Sequence, residues 1–261
     1  TTIRMIMNII APDSGTIFFD GRPMREKDKE RIGYLPEERG LYKKVKVNDM
    51  LLYLGELKGG DRSRLQKNID NWLNRFSLLD WQYKPVSELS RGMSQKVQFI
   101  AAIAHEPDIL FFDEPFAGLD PVSSDLLRDS IIELSKEGRT VLFSTHIMEQ
   151  AEKLCNKIFL INRGERVVYG SLNEIKEAYG SRTVTVEYDG DGEFIRHLPV
   201  VAGAASYPRY AELELTEDGD PDELLRALVD RISIKRFEVK APSLHSIFVS
   251  LVGGANKEVP A

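Results

Sequence analysis

The sequence predicts an α/β protein in which a parallel sheet carries helices on its faces, followed by a smaller α+β domain. Three observations predict it. Unbroken apolar runs, ILFF at 109–112 and TVLFST at 140–145, suit strands buried on both faces. Helical patterns separate such runs, as in a parallel sheet built from crossover units. From residue 181 onward the pattern turns to alternation, as in RTVTVEY at 182–188. A chain of 261 residues has room for one large domain or two unequal ones.

Composition narrows the function classes. A charged fraction of 29% and a hydrophobic fraction of 42% are those of a globular protein. No stretch approaches the roughly 20 apolar residues that cross a bilayer. No charged-then-apolar leader opens the chain, so no secretory signal is expected. Cys155 is the only cysteine, which excludes an internal disulfide and a cysteine-based zinc site and suits a reducing cytoplasm. Net charge is −6, with 9 Lys+Arg against 14 Asp+Glu from residue 181 and 26 against 27 before it. Neither part has the basic excess of a nucleic-acid binder, so no nucleic-acid partner is expected.

The elements follow in order. IRMIMNII at 3–10 puts Ile3, Ile6, Met7 and Ile10 on one helical face, in a helix that starts without a cap, as if the chain were cut there. Pro12-Asp13-Ser14-Gly15 makes a turn, and TIFF is a strand ending at Asp20-Gly21. IGYLPEERGLY at 32–42 reads as a short strand, a proline break and a polar loop. Residues 46–82 are mainly helical: Met50, Leu51, Leu54 and Leu57 mark one helix, and Leu65, Ile69, Trp72, Leu73 and Phe76 the next, between Asp61 and Leu79. Ser90 caps a helix carrying Val97, Ile100, Ala101 and Ala104. A helix start beside a glycine is also an anion site, although most serines there are simple caps.

The stretch ILFFDEPFAGLD at 109–120 carries the chemistry. Its apolar run leads into Asp113 and Glu114, and Pro115, which has no N–H, ends the strand. Ligands of open α/β sheets sit beyond the carboxyl ends of the strands. Two carboxylates there need compensation, most simply a metal ion with phosphates; the plainer alternative is a solvated turn, and Gly118-Leu119-Asp120 at fixed distance argues against it. A helix around Asp125–Lys136 stops at Gly138-Arg139, and TVLFST is a buried strand leading to His146. Residues 147–154 are helical, KIFLINRGERVVYG at 157–170 is a hairpin, and residues 172–179 form a helix. Beyond it come strands at RTVTVEY, Ala211–Leu215 and SIKRFEV, a helix from Asp220-Pro221 through Val229, and a closing helix at Pro242–Val252.

Together these residues resemble the ATP-binding subunit of an ATP-binding cassette (ABC) transporter. LSRGM at 89–93 is similar to the family signature LSGGQ. ILFFDEP at 109–115 resembles the Walker B strand, AGLD at 117–120 the D-loop, STH at 144–146 the switch histidine, and GYLPE at 33–37 stands in the place of the Q-loop. The resemblance covers residues 1–180 and implies a partial P-loop NTPase-type cassette with a helical subdomain at about 43–105. GYLPEERGLY, LSRGM and the accessory domain at 181–261 resemble the exporter branch that includes sodium and daunorubicin-type efflux ATPases.

Three departures stand out. The phosphate-binding loop G-x-x-x-x-G-K-[ST] is absent from these residues, so the cassette is expected to be cut just past it, and the polypeptide alone to be inactive. Glu37 stands where the family usually has glutamine. Arg91 and Met93 replace a glycine and a glutamine; Arg91 either pairs with phosphate on a partner's nucleotide or is solvated.

The resemblance implies ATP and Mg²⁺ as ligands, held between two cassettes arranged head to tail. It gives Asp113 the Mg²⁺, with Glu37 and Thr1 as further candidates. Glu114 would polarise the attacking water and His146 would reach the γ-phosphate; the plainer reading of His146 is a satisfied strand-end histidine. Ser90, Arg91 and Gly92 would meet the partner's nucleotide, and Asp120 would signal across the dimer. His105, His197 and His245 are read as ordinary surface or structural residues. The implied partners are a second copy and transmembrane permease subunits, touched near Leu41, Tyr42 and the Met50–Leu57 face, with the chain peripheral on the inner face of the cell membrane. The accessory domain is read as serving dimerisation or regulation. The competing readings are a soluble ABC ATPase acting on ribosomes or DNA, which two cassettes or long coiled coils would mark, and a non-catalytic remnant.

Overall fold

The computed structural model describes residues 1–37, 40–179, 183–216, 218–240 and 243–254. They fall into two compact units, Thr1–His146 and Ile147–Ala261. Residues 180–182, where the domain boundary is expected, lie outside the described residues, as do Glu38 and Arg39 of the polar loop and Pro242 at the expected start of the closing helix.

In the first unit, α1 (Thr2–Ile6) is shorter than its apolar face suggests. Asn8 turns into the left-handed region at φ 55°, which ends the helix and leaves Ile10 exposed. Ile3, Ile6 and Met7 still pack on Ile32 and Phe111. The strand expected at TIFF is one arm of a hairpin, β1 (Phe18–Phe19) against β2 (Arg22–Pro23). Asp20 at φ 50° and Gly21 at φ 76° form its two-residue turn, the conformation that Asp-Gly favours.

Three parallel strands follow, β3 (Ile32–Leu35), β4 (Ile109–Asp113) and β5 (Thr140–Ser144), in that spatial order. Leu110, Phe111 and Phe112 of β4 are buried, as the apolar run requires. β5 differs from expectation: it is an edge of this sheet, and Thr140 and Leu142 are exposed. The helices α2 (Val47–Leu57), α3 (Arg62–Arg75), α4 (Arg91–Ile103) and α5 (Pro121–Lys136) build the main core with the sheet. Phe99 joins the layers, 5.2 Å from Phe112 of β4 and 5.8 Å from Phe76 at the end of α3, centroid to centroid. Leu57, expected on the packed face of α2, is exposed at the last turn.

Gly33 of β3 lets α4 approach. A methyl group built on it would lie 2.1 Å from the Ala102 carbonyl oxygen and 2.7 Å from Leu110 Cδ2. Only glycine fits there.

The second unit contains α6 (Met148–Leu154), the hairpin β6 (Lys157–Asn162) and β7 (Glu165–Ser171), and α7 (Leu172–Tyr179). An antiparallel sheet of β8 (Thr183–Asp189), β9 (Val201–Tyr207), β10 (Tyr210–Leu215) and β11 (Ser233–Lys240) runs in the order β11-β8-β10-β9. Between β10 and β11, α8 (Pro221–Val229) starts on its Asp220 cap and packs Leu224 and Leu228 on that sheet's core. β9 has no counterpart in the sequence reading: VAGAASY is mostly small residues with little alternation to see. The closing helix α9 (Leu244–Gly254) buries Leu244 and Ile247 against Ala151, Ile158, Val168 and Ile175. Its first N–H, on Leu244, donates to Glu152 Oε1 at 2.8 Å, and the same oxygen takes Lys176 Nζ at 2.9 Å.

Candidate functional site

The parallel register sets the site. Asp113, last residue of β4, lies opposite Ser144, last residue of β5, so the groups after both strands leave the sheet side by side. The Ser144 hydroxyl donates to Asp113 Oδ1. The chain then turns sharply: Glu114 sits at φ 48°, a left-handed conformation that a side chain disfavours. Its N–H points to the Ser144 carbonyl oxygen at 3.2 Å and to the Ser144 hydroxyl at 3.3 Å, which holds the turn.

This turn aims the Glu114 carboxylate at His146. Oε1 accepts from the His146 backbone N–H at 3.0 Å and lies 2.8 Å from Nδ1. The two differ in exposure: the His146 side chain is 80% exposed and that of Glu114 18%. The imidazole is therefore open to a ligand while the carboxylate is held. Hydrogen bonding to Glu114, and then its charge, raises the His146 pKa above its ordinary value; the Glu37 charge adds to the rise. That places Glu37, exposed two residues beyond β3, within electrostatic reach of the pair. The carboxylates expected to need compensation thus receive part of it within the chain, from the end of β5.

The donor set suits Mg²⁺. Asp113 and Glu37 offer hard carboxylate oxygens and Thr1 a hydroxyl, and Mg²⁺ typically takes one or two carboxylates and completes its shell with water and phosphate. Among the described residues, no cluster of three His, Cys, Asp or Glu gathers to bind a metal by itself. Thr1 is exposed at the start of α1.

Ser90, Arg91 and Gly92 form the start of α4. Ser90 Oγ accepts from Met93 N–H at 3.3 Å, as a cap. Their neighbours are in the loop after Glu114: a methyl group on Gly92 would lie 3.8 Å from Leu119 Cδ2, and one on Gly118 would lie 2.6 Å from Arg91 Nε. Asp120 caps α5, accepting from Ser123 N–H at 2.9 Å and from the Ser123 hydroxyl at 2.6 Å, and these bonds depress its pKa.

Sequence reasoning gave no role to Gln95, and named Ser144 and Gly118 only as members of the STH and AGLD motifs. Gln95 is buried on α4 and donates from Nε2 to the Pro115 carbonyl oxygen at 3.0 Å. The signal for Ser144 was its place at the end of an apolar strand parallel to that of Asp113. Gln95 showed only as a polar residue one turn beyond Arg91.

The parallel sheet thus ends in an acidic pair, with a histidine from just past the neighbouring strand on the second carboxylate. The comparisons with known proteins give the family. The family model "ABC transporter" matches residues 1–117, and "ATP-binding protein DrrA1-3-like, C-terminal domain" matches residues 170–252. The uncharacterized ABC transporter ATP-binding protein YhaQ of Bacillus subtilis is 41% identical over 253 residues, covering 97% of this chain and 85% of its own length. The linearmycin resistance ATP-binding protein LnrL of Bacillus subtilis is 27% identical over 265 residues, with 97% and 85% covered. A solved structure described as the ATP binding subunit of an ABC transporter superposes with a TM-score of 0.63 at 27% identity, over 68% of this chain and 75% of its own.

The chain belongs to the ATP-binding proteins of ABC transporters, with a DrrA-like C-terminal domain. Family members bind ATP, generally with Mg²⁺, and hydrolyse it. No described helix is long and apolar enough to cross a membrane.

Proposed function

We propose that this protein is the ATP-hydrolysing subunit of an exporter, working as a pair of cassettes on the inner face of the membrane beneath permease subunits. The observation that carries the reading is the Glu114 carboxylate, turned out of the strand at φ 48° and held 2.8 Å from His146 Nδ1. A carboxylate so fixed can accept a hydrogen bond from a water aligned on the γ-phosphate. His146, exposed on the outer side of the pair, can donate from its other ring nitrogen to a γ-phosphate oxygen. Ser144 orients Asp113 for the cation. Mg²⁺, when bound, would neutralise phosphate charge; Asp113 is the residue proposed to hold it, with Glu37 and Thr1 as further candidates. Ser90 and Gly92 present a helix start to the partner cassette's nucleotide.

Export in place of a soluble role is supported by the DrrA-like match and by a relative named for linearmycin resistance. Exposed Tyr42 and Tyr53, edge to face at 6.4 Å, form the aromatic surface proposed for permease contact. We assign the accessory domain at 181–261 to dimerisation or regulation. For these 261 residues taken alone, which contain no G-x-x-x-x-G-K-[ST] loop, we propose no ATP turnover.

The test is ATP hydrolysis by the full-length protein beside its Glu114→Gln form. Turnover that disappears in the variant while ATP binding and pairing persist supports the reading. Equal turnover in both forms sinks it.

A further inference from the structure

We propose that Arg91 is a positioning residue for its own chain's loop 115–120, and not a ligand of the partner's nucleotide. The sequence leaves Arg91 either pairing with phosphate on a partner's nucleotide or solvated; the geometry points to a third place, against its own chain's loop. Gly118 stands at φ +75°, and a methyl group on it would lie 2.6 Å from Arg91 Nε, 3.1 Å from Cδ and 3.2 Å from Cζ. The arginine stem therefore lies across the bare backbone of Gly118, with Arg91 still exposed overall.

This contact is one of several along the loop. Gln95, one turn further along the same face of α4, donates to the Pro115 carbonyl oxygen at 3.0 Å. The ring of Phe116 meets Phe143 of β5 edge to face at 6.3 Å. Asp120 is fixed through Ser123. Pro115, Phe116 and Asp120 are thus anchored, and Gly118, the glycine at the crest, has Arg91 as its cover. Glu114 directly precedes the loop. The start of α4 and the turn that aims Glu114 are accordingly one mechanical piece, and a push on the helix start is passed to the cassette's own carboxylate. Any effect on ATP hydrolysis rests on the proposed function; the contact itself does not.

Amide hydrogen exchange on the nucleotide-free chain tests the contact. Ala117 N–H is bonded to the Glu114 carbonyl oxygen at 3.1 Å and Leu119 N–H to that of Phe116 at 3.3 Å. Arg91→Gly is expected to speed exchange at these two amides several-fold with β4 unchanged, and Arg91→Lys, which keeps an aliphatic stem, to restore part of the protection. Unchanged exchange at 117 and 119 overturns the proposal. In the full-length protein with its permease, Arg91→Gly is expected to lower kcat several-fold with KM for ATP within about twofold. A raised KM with kcat intact assigns the arginine to nucleotide instead. If Glu114→Gln leaves turnover intact, the ATPase reading falls while the exchange result stands.

Discussion

Glu114 Oε1 binds both the backbone N–H and the ring of His146, at 3.0 and 2.8 Å, so one residue fixes the other in place and in charge. Because the folded pKa of His146 is raised, the contact stabilises fully below the unfolded value of about 6.5 and is lost as pH climbs through the raised value. An NMR titration of the His146 ring should show a midpoint above 6.5, falling toward that value in Glu114→Gln. A midpoint that ignores the substitution refutes the pairing.

His105 shows the opposite case. It follows α4, both ring nitrogens are buried, and neither forms a well-made hydrogen bond; only the Ile32 backbone lies near enough to oppose the shift. Burial pushes its pKa down to about 4, and the Lys58 and Arg139 charges push the same way. A depressed value means stability present above the unfolded pKa and lost as pH falls from 6.5 to about 4. That loss is up to about 3 kcal/mol. His105→Leu should flatten the acid limb of a urea-melt pH profile, and an unchanged limb would count against it.

Gly33→Ala is expected to destabilise the first unit by about 3 kcal/mol or more, since the new methyl meets the Ala102 backbone and cannot be relieved by a side-chain rotation. Chemical denaturation reads this directly. A change under about 0.5 kcal/mol would show that α4 can move off the strand.

Gln95→Ala leaves the buried Pro115 carbonyl without its donor and should cost about 2 kcal/mol. The same variant should loosen the 115–120 loop, seen as faster exchange at Ala117. Stability within error of the parent protein would mean that another group satisfies the carbonyl.

The elements that depend on local pattern were legible. Helices α3, α4 and α8 start on their Asp61, Ser90 and Asp220 caps, and β4 stops before Pro115. Asp113 and Glu114 could be singled out because Gly118-Leu119-Asp120 follows the acidic pair at fixed distance, and His146 because STH at 144–146 resembles the family's switch histidine. What stayed hidden depends on tertiary neighbours. Sequence cannot say that Ser144 faces Asp113, because that is a register between strands about thirty residues apart. Arg91 looked ambiguous because its neighbour, Gly118, comes from a loop on the far side of β4. Ile10 and β5 misled for the same reason in reverse: an apolar pattern states what can be buried, and the chain around it decides whether it is.

The left-handed backbone at Glu114 sets stability against chemistry at a single residue. Glycine adopts that conformation freely, so Glu114→Gly relieves strain on the order of 1 kcal/mol or more. The same substitution removes the carboxylate that holds the His146 backbone N–H at 3.0 Å and its ring at 2.8 Å, so the relief in the backbone is offset by the lost contact. Under the function proposed above, stabilising libraries built on this scaffold need to leave position 114 untouched.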